Sequence, residues 1–275
     1  MDAVLLFSGQ GAQKVGMGKD LYDQYPVAKA LIEQADKALG ESLSAVMFEG
    51  PGEELTRTCN CQPALYVHGL ACLAVLKELV PSLNPVAAAG LSLGEFTAHA
   101  AAGTYSFEEG LRLVQKRGAF MEEACNATKG TMAAMIGGTD ENVIKLAQEC
   151  DVDVANFNCP GQTVVSGTEE GVAKAVAGAK AAGCKIAKKL NVAGAYHSRL
   201  MHSAMVKLAE ELKNISFGTP SMPVYCNYEA RVVEGPDDIR SMLEHQVCGS
   251  VRWTASMQKL VDQGHRLFIE LGPGK

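Results

Sequence analysis

One stretch limits the fold more than any other. Pro85 to Gly90 reads as a buried apolar strand, the chain turns through Gly90-Leu91-Ser92-Leu93-Gly94, and Glu95 to Ala102 reads as a helix. A strand that passes through a tight glycine turn straight into a helix is the unit from which parallel α/β sheets are built. The glycines let the backbone turn where a Cβ would collide. Such a turn pushes the Ser92 hydroxyl outward and leaves the Leu93 N–H at a helix N-terminus, where it can stabilise negative charge.

The rest of the chain keeps this rhythm, with one break. Ala3 to Phe7 is a second apolar strand, followed by the turn Ser8-Gly9-Gln10-Gly11-Ala12-Gln13. Pro63 to Leu79 is the most apolar helix. Ser106 and Glu109 form a capping box that starts a helix from Phe107 to about Cys125. The order then changes. Strands over Thr131–Ile136, Val152–Asn158, Thr163–Ser166 and Cys184–Leu190 alternate with helices over Asp140–Cys150 and from Thr168 to near Gly183. That βαββαβ order is the split pattern of a ferredoxin-like unit. We therefore expect an α/β chain of two parts, a discontinuous large domain over 1–127 and 194–275 and an inserted small domain over 128–193. After the insertion come helices over His202–Leu212, Asp237–Val247 and Thr254–Gln263, and strands over Val224–Asn227 and Arg266–Leu271.

Composition narrows the function classes. With a formal net charge of -6 and no basic run, nucleic acid is not an expected partner. The nine cysteines are scattered, and the Cys59-x-Cys61 pair has no partner pair to complete a metal site. They read as reduced thiols, with no metal and no bound cofactor. The apolar run Ala3–Phe7 is too short for a signal segment, and no segment is expected to reach membrane-spanning length. The expected location is the cytoplasm.

A serine nucleophile needs a base. His68 lies in an apolar helix, His99 points away two turns along the helix that Ser92 opens, and His202 and His245 sit on polar helices. His197, in Gly194-Ala195-Tyr196-His197-Ser198, and His265, in the turn before the last strand, remain level on residues alone. In the capped helix Arg117 falls on the apolar stripe of Leu113 and Met121, with Arg112 and Lys116 opposite. A cation on an inward face needs an anion, either a structural carboxylate or one on a ligand, unless its side chain snorkels out to water.

The motifs, taken in order, resemble the malonyl-CoA:acyl-carrier-protein transacylase family and the related acyltransferase domains of polyketide synthases. They are Phe7-Ser8-Gly9-Gln10-Gly11-Ala12-Gln13, Gly90-Leu91-Ser92-Leu93-Gly94-Glu95, Gln115-Lys116-Arg117-Gly118 with Met121, Asn156 to Gln162, Tyr196-His197-Ser198, Gln246 to Trp253, and Glu270-Leu271-Gly272-Pro273-Gly274-Lys275. The resemblance covers essentially the whole chain. It implies an α/β-hydrolase-like core with a parallel sheet and an inserted ferredoxin-like domain. It implies Ser92 as the acylated nucleophile and His197, not His265, as its base. It further implies backbone N–H groups of Gln10 and Leu93 as the oxyanion hole, the Gln246 carbonyl as orienter of the imidazole, and Arg117 as the partner of the malonyl carboxylate. Met121 and Tyr196 are implied to line the acyl site, and Asn158 to touch pantetheine. The implied substrate is malonyl-CoA and the implied partner an acidic acyl carrier protein, with the enzyme a monomer.

Three positions depart from the family pattern. Ser8 stands where proline is usual. Arg199 follows the base where proline or a small residue is frequent, and is expected either near the mouth of the pocket, in reach of a phosphate or the carrier protein, or equally in solvent. The chain stops at Lys275, where family members continue through another segment. Lys185, Lys188, Lys189 and Arg199 cluster near the domain junction and are expected to form a docking patch. Two rival readings stand beside this one: an esterase using Ser92, His265 and Asp237 or Asp262, and a non-catalytic scaffold for acylated carrier protein.

Overall fold

A computed structural model describes residues 1–274. Its strands are β1 (Asp2–Phe7), β2 (Asn84–Gly90), β3 (Gly130–Ile136), β4 (Asp153–Cys159), β5 (Gln162–Thr168), β6 (Ile186–Lys189), β7 (Val224–Tyr225) and β8 (Phe268–Leu271). They form two four-stranded sheets, ordered β7-β2-β1-β8 and β4-β5-β3-β6.

The first sheet is parallel throughout. Side chains alternate across a strand, and both faces here are apolar. Leu5, Phe7 and Ala88 enter the main core with the long helices Thr58–Leu79 and Phe107–Ala127. Val4, Ala87 and Ala89 pack on the opposite side with Tyr225 and Leu260. Covered on both faces, such a sheet needs near-continuous apolar strands. All four strands point the same way, so their C-terminal ends share one edge, where Phe7 pairs with both Gly90 and Leu271.

The second sheet is antiparallel, and its four strands with the helices Asp140–Glu149 and Glu169–Gly178 follow the split βαββαβ order. Ala133, Met135 and Val165 point into a small separate core with Val143 and Val172. Met132, Ala155 and Val164 point the other way and join the main core. Its β4 is fastened to the first sheet's side of the molecule: the Phe157 N–H donates to the Val251 carbonyl at 2.9 Å, and the Val251 N–H to the Ala155 carbonyl at 2.8 Å.

Four expectations change. The helix expected from Pro63 begins at Thr58. That helix has 22 residues, long and apolar enough to cross a membrane, contrary to the expectation that no segment reaches that length; most of it is enclosed in the core instead. The helix expected to reach Gly183 ends at Gly178. There Ala179 and Cys184 turn into the small core, with the Cys184 N–H donating to the Ala179 carbonyl at 2.9 Å and Gly183 at a φ of 84°. The last of the expected Val224–Asn227 strand leaves the sheet after Tyr225, which sends Asn227 toward Ser92.

Candidate active site

Ser92 stands at the C-terminal edge of β2, immediately before the helix Leu93–Ala101. Its φ is 55° and ψ -104°, a strained conformation for a residue with a side chain. The turn closes only because Gly90 and Gly94 lack side chains. A Cβ on Gly90 would strike the Gly94 backbone, and one on Gly94 the Phe7 carbonyl. Asn227 clamps the turn from the side. Its Oδ1 accepts from the Ser92 N–H at 2.6 Å and its Nδ2 donates to the Gly90 carbonyl at 2.8 Å.

The structure brings His197, not His265, to Ser92. His197 Nε2 lies 2.8 Å from Ser92 Oγ, and Nδ1 lies 2.9 Å from the Gln246 carbonyl. A carbonyl only accepts, so Nδ1 carries the proton and Nε2 is left to receive one from the serine. His197 also has a positive φ, 55°. Burial, with Arg117 adding to it, pulls its pKa down to about 4, so the ring is neutral at neutral pH. His265 precedes β8, at the N-terminal edge of the parallel sheet and thus at the end opposite Ser92. Asp262 lies there too, and Asp237 pairs with Arg240 at 2.7 Å on the surface. The esterase triad is therefore not assembled.

The other histidines are placed elsewhere. His99 is fully buried with Nδ1 3.2 Å from Thr104 Oγ1, and His68 lies against the Cys72 thiol at 3.6 Å. His202 and His245 are exposed, as their polar helices imply.

Arg117 is 1% exposed, yet no carboxylate lies within ion-pair distance of it among the described residues. Nη1 donates to Gln62 Oε1 at 2.7 Å; Nη2 donates to Gln246 Oε1 at 2.8 Å and to Ser92 Oγ at 3.1 Å. Nε has no acceptor, and the guanidinium stacks 5.0 Å over the Phe96 ring. Close approach of two helices creates this position: a Cβ on Gly118 would meet the Thr58 carbonyl. Burial lowers the Arg117 pKa to about 10, which leaves it charged at neutral pH. A buried cation held by neutral amides and a hydroxyl is an incomplete ion pair. A direct structural ion pair is thereby removed; Glu95 reaches Arg117 only across the Gln246 amide.

These groups open into a cleft of about 690 Å³ between the two sheets, lined by Gln10, Ser92, Met121, Asn158, Tyr196 and His197 among others. The Tyr196 hydroxyl is pinned by Thr58 Oγ1 at 2.8 Å and Gln10 Nε2 at 3.4 Å. Met121 Sδ accepts from Gln62 Nε2 at 3.4 Å. Asn158 Oδ1 is buried with no partner. Leu93 opens its helix, so its N–H has no preceding turn to bond to. Arg199 takes the solvated alternative: it is not among the residues lining the cleft, and its guanidinium binds Asp153 at 3.0 Å and Asp151 at 2.7 Å.

The acyl transferase domain family matches residues 4–274 of the chain. A malonyl CoA-acyl carrier protein transacylase of Bacillus subtilis is 44% identical over 275 residues, covering 98% of this chain and 86% of that protein. The chain belongs to the malonyl-CoA:acyl-carrier-protein transacylase family. It is an acyltransferase of mixed α/β fold. A polyketide biosynthesis malonyl CoA-acyl carrier protein transacylase of Bacillus velezensis is 41% identical, covering 98% of this chain and 92% of its own. Among solved structures, an acyl carrier protein S-malonyltransferase of Vibrio cholerae superposes with a TM-score of 0.95 at 38% identity, covering 99% and 90% of the two chains. A malonyl-transacylase solved in complex with its type II polyketide synthase acyl-carrier protein gives 0.96 at 37%, covering 100% and 90%.

Three residues of this transacylase site escaped the sequence reading. Asn227 is distant in sequence, and only the short β7 aims it at the turn. Gln62 falls just outside the helix expected from Pro63; a lone glutamine beside so apolar a stretch is the signal that marks it. Glu95 closes the Gly90–Glu95 motif, and nothing in the sequence around it signals burial of its carboxylate. It is wholly buried, its Oε2 accepting from the Asn227 N–H at 2.9 Å and from Gln246 Nε2 at 2.6 Å.

Proposed function

We propose that this enzyme moves malonate from malonyl-CoA to the phosphopantetheine thiol of an acyl carrier protein in fatty-acid biosynthesis, through a malonyl ester on Ser92. The observation that carries the reading is the position of Ser92 Oγ, 2.8 Å from a neutral imidazole and 3.1 Å from a buried guanidinium with no carboxylate partner. A nucleophile set beside a buried cation that no carboxylate touches directly selects an acyl group that ends in a carboxylate.

His197 takes the Ser92 proton as Oγ attacks the thioester carbon. The developing oxyanion is held by the backbone N–H groups of Gln10 and Leu93. The C–S bond breaks, and His197 returns the proton to the CoA sulfur. The carrier thiol then attacks the ester with the same histidine as base. The Gln246 carbonyl stabilises the imidazolium in both halves, in place of a triad carboxylate. Arg117 holds the malonyl carboxylate throughout. Asn158, with its unpartnered Oδ1, is suited to a pantetheine amide N–H. The pinned Tyr196 ring narrows the acyl site against an α-methyl branch, a discrimination of about 1–3 kcal/mol.

In this reading residues 1–127 with 194–275 supply the chemistry, and 128–193 form the far wall of the cleft. The enzyme acts as a cytoplasmic monomer without a bound cofactor. Lys185, Lys188 and Lys189, on or beside the edge strand β6, form the strip that meets an acidic carrier protein. Arg199, committed to two aspartates, drops out of that strip. Intact-mass measurement after addition of malonyl-CoA tests the core of the proposal. A malonyl adduct is expected on the wild type and none on Ser92→Ala; an unmodified wild type overturns it. A polyketide carrier protein as the preferred acceptor would move the pathway assignment and leave the chemistry intact.

A further inference from the structure

Glu95 does nothing in the mechanism above, yet it is the only carboxylate in the buried region around Arg117 among the described residues. The two charges do not touch. They are joined through one amide: Arg117 Nη2 donates to Gln246 Oε1, and Gln246 Nε2 donates to Glu95 Oε2. With one cation and one anion, the free site is neutral overall. Malonate on Ser92 brings a second carboxylate into the same enclosed volume, and a buried excess charge is costly.

Glu95 is built to remove that excess. Oε2 holds both hydrogen bonds, from Asn227 and Gln246, while Oε1 is buried and holds none. A proton placed on Oε1 breaks no bond. We propose that Glu95 takes up one proton when malonate is loaded onto Ser92 and releases it when malonate leaves. The inference rests on the malonyl-Ser92 reading.

The surroundings leave the role to Glu95. On its own helix, His99 is held neutral by burial, its pKa lowered to about 3. From the helix Phe107–Ala127 comes Arg117, which stays charged. Tyr105 and Cys226, facing Glu95 from the neighbouring loops, are both pushed upward, mainly by burial, and remain neutral. His197 is lowered to about 4. Burial raises Glu95 to about 7, with its two hydrogen bonds and Arg117 pulling the other way. A second nearby carboxylate raises it further. Just above neutral pH the free enzyme is therefore ionised at Glu95 and the malonyl enzyme protonated there.

The experiment mixes enzyme with malonyl-CoA at pH 8 in weak buffer with a pH indicator, with intact mass measured in parallel. Expected is an uptake approaching one proton per adduct, and a loading equilibrium that weakens by up to about tenfold per pH unit above neutrality. Glu95→Gln, a neutral isostere, should load without uptake and without that slope. Infrared difference spectra of protein carrying ¹³C-carboxyl glutamate provide a reading that needs no variant: a glutamic-acid carbonyl band should appear on loading. Adduct formation with no proton uptake, or equal uptake by Glu95→Gln, or no glutamic-acid band, overturns the proposal and leaves malonyl-Ser92 standing. Absence of any adduct overturns the malonyl-Ser92 reading itself.

Discussion

Two arginines in different regions of the molecule show how burial decides what a charge is for. Arg199, on the rim of the small sheet, has a side chain 57% exposed and two aspartates within 3.0 Å. Arg117, in the main core, is 1% exposed and has no carboxylate within ion-pair distance among the described residues. The surface pair is complete and screened by water, so it contributes little. The buried cation is incomplete, and amides keep it aligned without neutralising it. The difference teaches that a fully partnered arginine is satisfied by the fold itself, while a buried one without a direct carboxylate contact keeps donors free for an anion.

The sharpest way to break this contrast is to remove the buried cation. Arg117→Ala should lower kcat/KM for malonyl-CoA by roughly 10²–10³-fold, as expected for a buried charge stripped of its partner. Acetyl loading should rise relative to malonyl. A malonyl preference that survives the change refutes the assignment.

Next comes the clamp that holds Ser92 beside Arg117. Asn227→Ala leaves the Ser92 N–H and the Gly90 carbonyl without their partner. About 2–3 kcal/mol of stability should be lost, and a displaced nucleophile should cost roughly 10–100-fold in kcat with KM for malonyl-CoA little changed. Thermal melting and steady-state kinetics measure the two effects.

The core also holds its histidines neutral, unlike the exposed His202 and His245. His68 and His197 are lowered to about 4 and His99 to about 3, all chiefly by burial. Between those values and the ordinary 6.5 the unfolded chain binds protons that the folded chain does not. Stability therefore falls as pH drops through that window, by about 1.4 kcal/mol per pH unit for each histidine. Glu95, raised to about 7, acts in the opposite sense between its ordinary 4.5 and 7, and three histidines outweigh it. Melting temperature against pH should show the fall, and His99→Gln should make it shallower.

The smallest effects belong to the surface. Arg199→Ala should change stability by less than about 1 kcal/mol and leave malonyl-CoA kinetics unaltered. Charge reversal at Lys188 and Lys189 should raise KM for the carrier protein at low salt only. An Arg199 effect larger than the lysine effect would return Arg199 to the docking strip.

The residues alone determined most of the frame. The strand, glycine turn and helix around Ser92 were legible because each rests on local sterics and periodicity. So were the Ser106–Glu109 cap and the βαββαβ order of the small sheet. Tertiary structure decided the rest. His197 and His265 were equivalent as loop histidines until the parallel sheet put one at each end. The inward phase of Arg117 could be read from its helix, but the absence of a carboxylate around it could not. That fact depends on Gln62, Gln246 and Glu95, which come from three separate helices and meet around Arg117 only where Gly118 lets its own helix close on that of Gln62. Local chemistry wrote the Ser92 turn into the sequence. Long-range packing brought His197 to it and set Arg117 beside it with no direct carboxylate contact among the described residues, because burial and distance are properties of the folded chain.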